Sequence, residues 1–265
     1  TTELERLYIR AAFGDVLATI GKTRSSWGSG GVLNAGDVIF GSSSVDFPLL
    51  ESDPRSETAW LTSVEIPFGA FSFVELVALP APTDASAGGR VNLALGNATV
   101  QAGYLYRGGR IAGLGETGHH AFLSAEGYHP FNWHLSAAAR SPVGEWRTDI
   151  VEESLTVTAG AFGDISLVAD RTITLRLEAL VRPYRSFDAP GVPPYGLYLY
   201  PVLGFVPRTA LSLSLSSLVS PIDGSANTAL SGSWNIYESL TILASLSVRS
   251  GEAADTFSVD DVGGV

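Results

Sequence analysis

From Thr172 to Val181 apolar and polar residues alternate without a break. Ile173, Leu175, Leu177, Ala179 and Val181 share one parity, and Thr172, Thr174, Arg176, Glu178 and Leu180 share the other. Strand side chains point to opposite faces with period two, so such a segment separates an apolar wall from a polar one. The period returns in Ala210 to Val219, where Leu211, Leu213 and Leu215 interleave with Ser212, Ser214 and Ser216. It returns again in Leu240 to Val248, where Leu240, Ile242, Ala244, Leu246 and Val248 alternate with Thr241, Ser245 and Ser247.

Such segments come in pairs joined by turn chemistry. Leu4 to Phe13 and Val16 to Arg24 meet at Phe13-Gly14-Asp15, Thr58 to Ile66 and Ala70 to Leu79 at Pro67-Phe68-Gly69, and Val91 to Leu95 and Ala98 to Tyr106 at Gly96-Asn97. Further pairs are expected about Tyr128-His129-Pro130, Ala169-Asp170-Arg171, Pro207-Arg208 and Tyr237-Glu238-Ser239. The count is about seven hairpins, or roughly 14 strands.

Connections between the hairpins are longer: 25–57, 80–90, 107–118, 141–149, 183–195 and 220–227. Short turns on one rim and long loops on the other are the arrangement of an outer-membrane barrel, with turns periplasmic and loops extracellular. The expected fold is therefore all-β, an antiparallel up-and-down transmembrane β-barrel occupying 1–265 as a single domain. A soluble β-sandwich or solenoid is the competing architecture.

This topology would leave both chain ends on the loop side. One strand before Thr1 and another after Val265 would restore the usual arrangement, at about 14 to 16 strands in all. The end Asp261-Val262-Gly263-Gly264-Val265 lacks a terminal aromatic, and neither an initiator methionine nor a signal peptide precedes Thr1. A mature or trimmed segment is expected.

Composition narrows the class. Of 265 residues 45% are hydrophobic and only 16% charged, too apolar for disorder, and no apolar run reaches the roughly 18 residues of a spanning helix. With no cysteine there is neither a disulfide framework nor a thiolate metal site. A net charge of −11, with Lys22 the single lysine, argues against a nucleic-acid footprint. Acidic residues gather at Asp46, Glu51, Asp53 and Glu57 and at Glu252, Asp255, Asp260 and Asp261. They read as solvated loops, with cation bridging to anionic lipid as the alternative.

Trp60, Phe68, Phe71, Tyr104, Tyr106, Tyr128, Phe131, Trp133, Phe162, Tyr198, Tyr200, Trp234 and Tyr237 mostly fall near strand ends, as an interfacial girdle requires. His119 and His120 are adjacent on a strand and face opposite ways, and with His129 and His134 they do not make a metal site. No Gly-x-Ser-x-Gly elbow, phosphate-binding loop or dinucleotide motif occurs in a fitting context; Ser29-Gly30-Gly31 and Ser231-Gly232-Ser233 are turn-like. An enzyme is not expected, and neither a cofactor nor a metal.

The most distinctive run is Ile20-Gly21-Lys22-Thr23-Arg24-Ser25-Ser26-Trp27-Gly28-Ser29-Gly30, followed by Asn34-Ala35-Gly36-Asp37. Over residues 20–60 it resembles the Gly-Arg-Gln, Trp-Gly and Asn-Pro-x-Asp pattern of bacterial outer-membrane channels such as the alginate-export-like porins. Here Lys22 takes the basic position and Ala35 replaces the proline. The resemblance implies a diffusion channel whose long loop, 25–57, folds into the lumen and narrows it around Trp27, Asn34 and Asp37.

A barrel this size encloses more volume than its side chains fill, so inward charges would set selectivity. On polar parity these are Arg10, Lys22, Arg24, Glu75, Arg176, Glu178, Arg182 and Arg249. The expected function is a porin of the bacterial outer membrane passing small hydrophilic solutes. Its partners would be outer-membrane lipid and lipopolysaccharide-like glycolipid, and a homo-oligomer is left open. The alternative is an adhesin or structural barrel whose surface loops bind partners.

Overall fold

A computed structural model describes residues 6–40, 49, 58–80, 85–108, 118–141, 151, 154–167, 171–183, 196–237, 240–252 and 255–258. Among these described residues, fourteen strands run as seven hairpins. The first four are β1 (Leu7–Phe13) with β2 (Val16–Thr23), β3 (Ala59–Gly69) with β4 (Ser72–Leu79), β5 (Ser86–Leu95) with β6 (Ala98–Arg107), and β7 (Gly118–Tyr128) with β8 (Asn132–Ser141). The others are β9 (Thr156–Leu167) with β10 (Arg171–Val181), β11 (Leu197–Arg208) with β12 (Leu211–Ser220), and β13 (Ser225–Tyr237) with β14 (Leu240–Ser250). All lie in one sheet in sequence order, each antiparallel to the next, with β1 and β14 as its edges. The expected all-β, up-and-down architecture is the one observed. No helix of the described residues is long and apolar enough to cross a membrane.

Gly14 and Gly96 adopt positive φ in the connections Gly14-Asp15 and Gly96-Asn97, as the twist of a tight hairpin favours. Two other turns differ from expectation for one shared reason. β3 continues through Pro67 and turns at Ala70-Phe71, and β11 continues through Pro207 and turns at Thr209-Ala210. In each case the register shifts beside the proline, between Pro67 and Gly69 and between Phe205 and Arg208. A proline cannot donate to the ladder but is accommodated at such an irregularity. β5 begins at Ser86, not Val91, because Gly88 and Gly89 are strand residues paired with β4 and β6.

Parity decides which wall each side chain joins. Ile20, Leu76, Leu123, Leu135, Leu177, Leu203 and Leu230 are exposed on one face. Thr19, Glu75, Gln101, Ser124, Ser136, Thr158, Glu178 and Ser216 are buried on the other, most of them against the segment of chain that follows β2. That burial requires curvature. Trp27 bonds to β4, while Leu33 packs with Leu218 of β12, eight strand spacings or about 38 Å away if the sheet were flat. Six residues of extended chain span at most about 21 Å. The sheet therefore wraps round the segment, and the apolar parity faces outward.

An outer wall of this kind predicts a specific sensitivity. Leu177, 53% exposed at mid-strand, should cost about 2–4 kcal/mol on substitution by Arg. Arg at Thr174, on the inner parity of the same strand, should cost less than 1 kcal/mol, being wetted from within. Equilibrium refolding into lipid bilayers measures both.

Candidate functional site

The segment 24–40 leaves the end of β2, on the long-connection rim, and lies against the concave face. Glu75 of β4 is 5% exposed and takes two of its contacts, Trp27 Nε1 donating to Oε2 at 3.0 Å and Ser25 Oγ to Oε1 at 3.0 Å, while Arg90 Nε of β5 also donates to Oε2 at 2.8 Å. Arg90 also donates to the Ser26 carbonyl and to Gln101 Oε1, and that same amide oxygen accepts the Gly28 N–H. Across the interior Glu178 of β10, wholly buried, accepts the N–H of Val32 at 3.0 Å and of Leu33 at 2.7 Å. Between these anchors Ser29 bonds Ser124 and Ser136, and the Ala35 N–H bonds Thr158 Oγ1 at 3.0 Å. The return limb is held by Arg107, whose guanidinium donates to the carbonyls of Val38 at 2.8 Å and Ile39 at 2.6 Å.

The segment's own fold explains its sequence. Asn34 Nδ2 donates to the Trp27 carbonyl and its Oδ1 accepts the Gly36 N–H, closing a loop in which Gly28 and Gly36 meet backbone to backbone. A Cβ on Gly28 would lie 2.5 Å from the Gly36 Cα, and Gly28 has φ +72°, so no other residue fits. Asp37 accepts from Arg24 at 3.2 Å, and the Arg24 guanidinium lies 5.2 Å from the Phe40 ring centroid. Asn34 and Asp37 thus shape the segment, while Trp27, Glu75 and Glu178 fasten it.

Apolar contacts complete the seal in two clusters. Trp27, Val38, Ile39 and Phe40 pack on Leu61, Val77, Leu79, Leu105 and Phe122 on one side. Val32 and Leu33 pack with Leu180, Tyr198, Tyr200, Leu218 and Phe257 on the other. Tyr198 and Tyr200, expected in the outer girdle, point inward, since they share the parity of Glu178 and Leu180 across the β10–β11 ladder. Phe162 is also inward, against Arg176. Trp60, Phe68, Phe71, Tyr104, Phe131, Trp234 and Tyr237 are exposed, as is Tyr128 on the inner parity beside the short turns, and the Tyr104 hydroxyl lies 2.6 Å from His119 Nδ1.

Phe257 is carried in by a clasp on the long-connection rim. Asp223, between β12 and β13, accepts the N–H and hydroxyl of Thr256 at 2.9 and 2.8 Å, and the N–H and hydroxyl of Ser225 at 3.0 and 2.8 Å. Partial burial alone would raise the Asp223 carboxyl. The bonds from the Thr256 and Ser225 amides and from the Ser220 and Thr256 hydroxyls outweigh it and hold the group well below the usual carboxylate range.

Of the residues expected to line a pore, Arg10, Glu75, Arg176 and Glu178 are on the concave parity. Arg10 bonds Thr19, and Arg176 lies 3.7 Å from Glu178. Arg24 is inward but bound into the segment. Lys22 is not: it pairs with Trp60 on the outward parity of Ile20, so its assignment to the lumen is corrected, the count along β2 having placed it a face off. Arg182 stands just past β10, over the Tyr198 ring, and Arg249 pairs with Asn227 on the exposed edge strand β14. Residues 41–48 and 50–57 of the expected loop lie outside the described residues, as do Asp46, Glu51, Asp53, Glu57, Asp260 and Asp261. No metal-holding group occurs among the described residues.

Sequence reasoning missed Arg90 and Arg107, which were assigned to loops. It also missed Gln101, Ser124, Ser136 and Thr158, whose signal was available as single polar residues between outward apolar ones. Two cavities flank the segment. One of about 210 Å³ lies toward β1–β5, among Arg10, Arg24, Glu65, Glu75 and Arg90; the other, about 370 Å³, lies toward the short turns below Gly30 and Gly31.

A curled, consecutively paired antiparallel sheet with an apolar outer wall and a polar, filled interior is the fold of an outer-membrane β-barrel. Neither a protein-family model nor a curated protein matches the chain, so the resemblance to alginate-export-like porins assigns no family. Among solved structures it is similar to Wzi of Escherichia coli, described as an outer membrane protein involved in group 1 capsule assembly and as a carbohydrate binding β-barrel. The TM-score is 0.61 at 13% identity, over 94% of this chain. The match spans 66% of the Wzi chain, and the likeness is one of fold.

Two outcomes follow from the anchoring. Replacing Glu178 by Ala strands two buried amides and should cost on the order of 3 kcal/mol, with hydrogen-exchange protection of Val32 and Leu33 lost before that of β10. At the clasp, the folded-state pKa of Asp223 is depressed, so its contribution is complete above the unfolded value near about 4 and is lost as pH falls below it. Protection of the Thr256 and Phe257 amides should decline over that acid range, and Asp223→Asn should remove the pH dependence.

Proposed function

We propose that this chain is an outer-membrane barrel whose interior is crossed by an anchored segment, and that it works by binding at its mouths, not by free diffusion through its centre. One observation carries the reading. The inward carboxylates of Glu75 and Glu178, which an open pore would keep hydrated to select permeating ions, are sealed from water and bonded to Trp27, Val32 and Leu33. Breaking such bonds to open a passage would bare charge in a dry interior. The fold shared with Wzi supports carbohydrate as the bound class, and the long-connection rim and its loops would meet it at the cell surface. The reading is non-enzymatic.

A passive channel for small hydrophilic solutes is the second reading. It is favoured by the polar gap beside β1–β5, where three arginines and two glutamates converge. Lipid and lipopolysaccharide-like glycolipid would cover the outer wall under either reading, and a second copy could share part of it. Planar-bilayer recordings separate the two. The wild-type chain should show no stable conducting steps, and the E75Q/E178Q double variant, having lost both anchors, should conduct intermittently. Steady, stepwise conductance of the wild type would return the assignment to the porin.

A further inference from the structure

We infer that the cavity on the short-turn side of the crossing segment is a saccharide site, distinct from the surface loops and open to the opposite rim. The cavity is about 370 Å³, within the range of small-molecule pockets and large enough for one or two sugar rings. Its roof is the backbone of Gly30 and Gly31. A side chain at Gly31 would come within 2.4 Å of Glu178, so the roof is bare by necessity and lets a ligand approach main-chain groups.

Its walls come from inner-parity positions that lie side by side across the sheet. Register pairs Thr99 with Glu126 and Glu126 with His134, and one row nearer the turns pairs Tyr128 with Asn132, Asn132 with Phe162 and Phe162 with Arg176. Tyr128 and Phe162 offer ring faces, while Glu126, Asn132 and Arg176 offer an acceptor, a mixed amide and a fixed fork of donors. Flat apolar faces beside paired donors and acceptors match a sugar, whose ring carries apolar C–H patches and vicinal hydroxyls. Arg176 lies over Phe162 with its centre 5.2 Å from the ring centroid, and Glu178, its 3.7 Å partner, is already engaged by two amides. The guanidinium is thus held in place with donors to spare.

His134 completes the wall. His134 lines this cavity, is 6% exposed, and its Nε2 makes no hydrogen bond among the described residues. The ring edge carrying that nitrogen is packed against the Gly160 backbone, so His134 shapes the cavity wall. Gly160 allows this close packing, since a Cβ there would fall 2.6 Å from that nitrogen.

The inference rests on the carbohydrate-binding part of the proposed function, and binding that the cavity variants leave untouched overturns the inference alone. Purified barrel in detergent is titrated calorimetrically with cellobiose and with chitobiose, for wild type and for Glu126→Gln, Phe162→Ala and a variant lacking residues 109–117. Binding of either disaccharide that weakens at least about tenfold in both cavity variants, and is retained in the deletion variant, supports the site. Far-ultraviolet circular dichroism and heat-modifiable gel migration must match wild type. If Phe162→Ala fails to fold, Phe162→Leu replaces it. Absence of binding by both sugars, or binding untouched by the cavity variants, overturns it.

Discussion

Two carboxylates buried inside a curled sheet constrain everything else in this molecule. Glu75 and Glu178 stand on strands six positions apart in the sheet, each nearly or wholly sealed from water. An ionised carboxylate in such a place is tolerated only when its lone pairs are met by donors. Both are met by the same stretch of chain, through Trp27 and Ser25 at one end and Val32 and Leu33 at the other. The segment is therefore as much a part of the barrel's interior as the strands, and the strands could not keep these residues without it.

The same exchange explains the mixed character of the concave face. Where the segment presents amides and carbonyls, the wall answers with Gln101, Ser136, Thr158 and Arg107, and Ser124 meets the Ser29 hydroxyl. Where it presents Trp27, Leu33, Ile39 and Phe40, the wall answers with Leu79, Leu105, Leu180 and Tyr198. Inward apolar residues would be misplaced in a water-filled pore and are in place here. The C-terminal clasp extends the principle, since Asp223 holds Thr256 so that Phe257 can close the second cluster. The interior resembles a small protein core divided between wall and filling, which is why binding fits it better than flow.

Much of the barrel could be read directly. Alternation in β10, β12 and β14 named their outward residues correctly, because a period of two needs only local geometry. Errors arose where a local rule met a non-local fact. Pro67 and Pro207 looked like turns because their sequence carries no sign of the register shift that accommodates them within a strand. Arg90 looked like loop because of Gly88 and Gly89, whose place in the ladder depends on close approach by β4 and β6. Tyr198 and Tyr200 looked like girdle because an aromatic near a strand end suits either face until its partners are known. Trp27, Asn34 and Asp37 stood out as a motif, but not their separate duties of fastening and shaping.

By itself the sequence determined that the chain forms paired antiparallel strands with one apolar and one polar wall and short turns at one rim, while the connection expected over 220–227 is a four-residue turn between β12 and β13. Those properties are carried by neighbours along the chain. Only the tertiary structure decided what covers the polar wall. The answer depends on contacts such as that between Val32 and Glu178, separated by 146 positions, and period-two patterning is silent about anything so distant. A polar inner face looks the same in sequence whether it meets water or a folded-in segment, because both satisfy the same donors and acceptors.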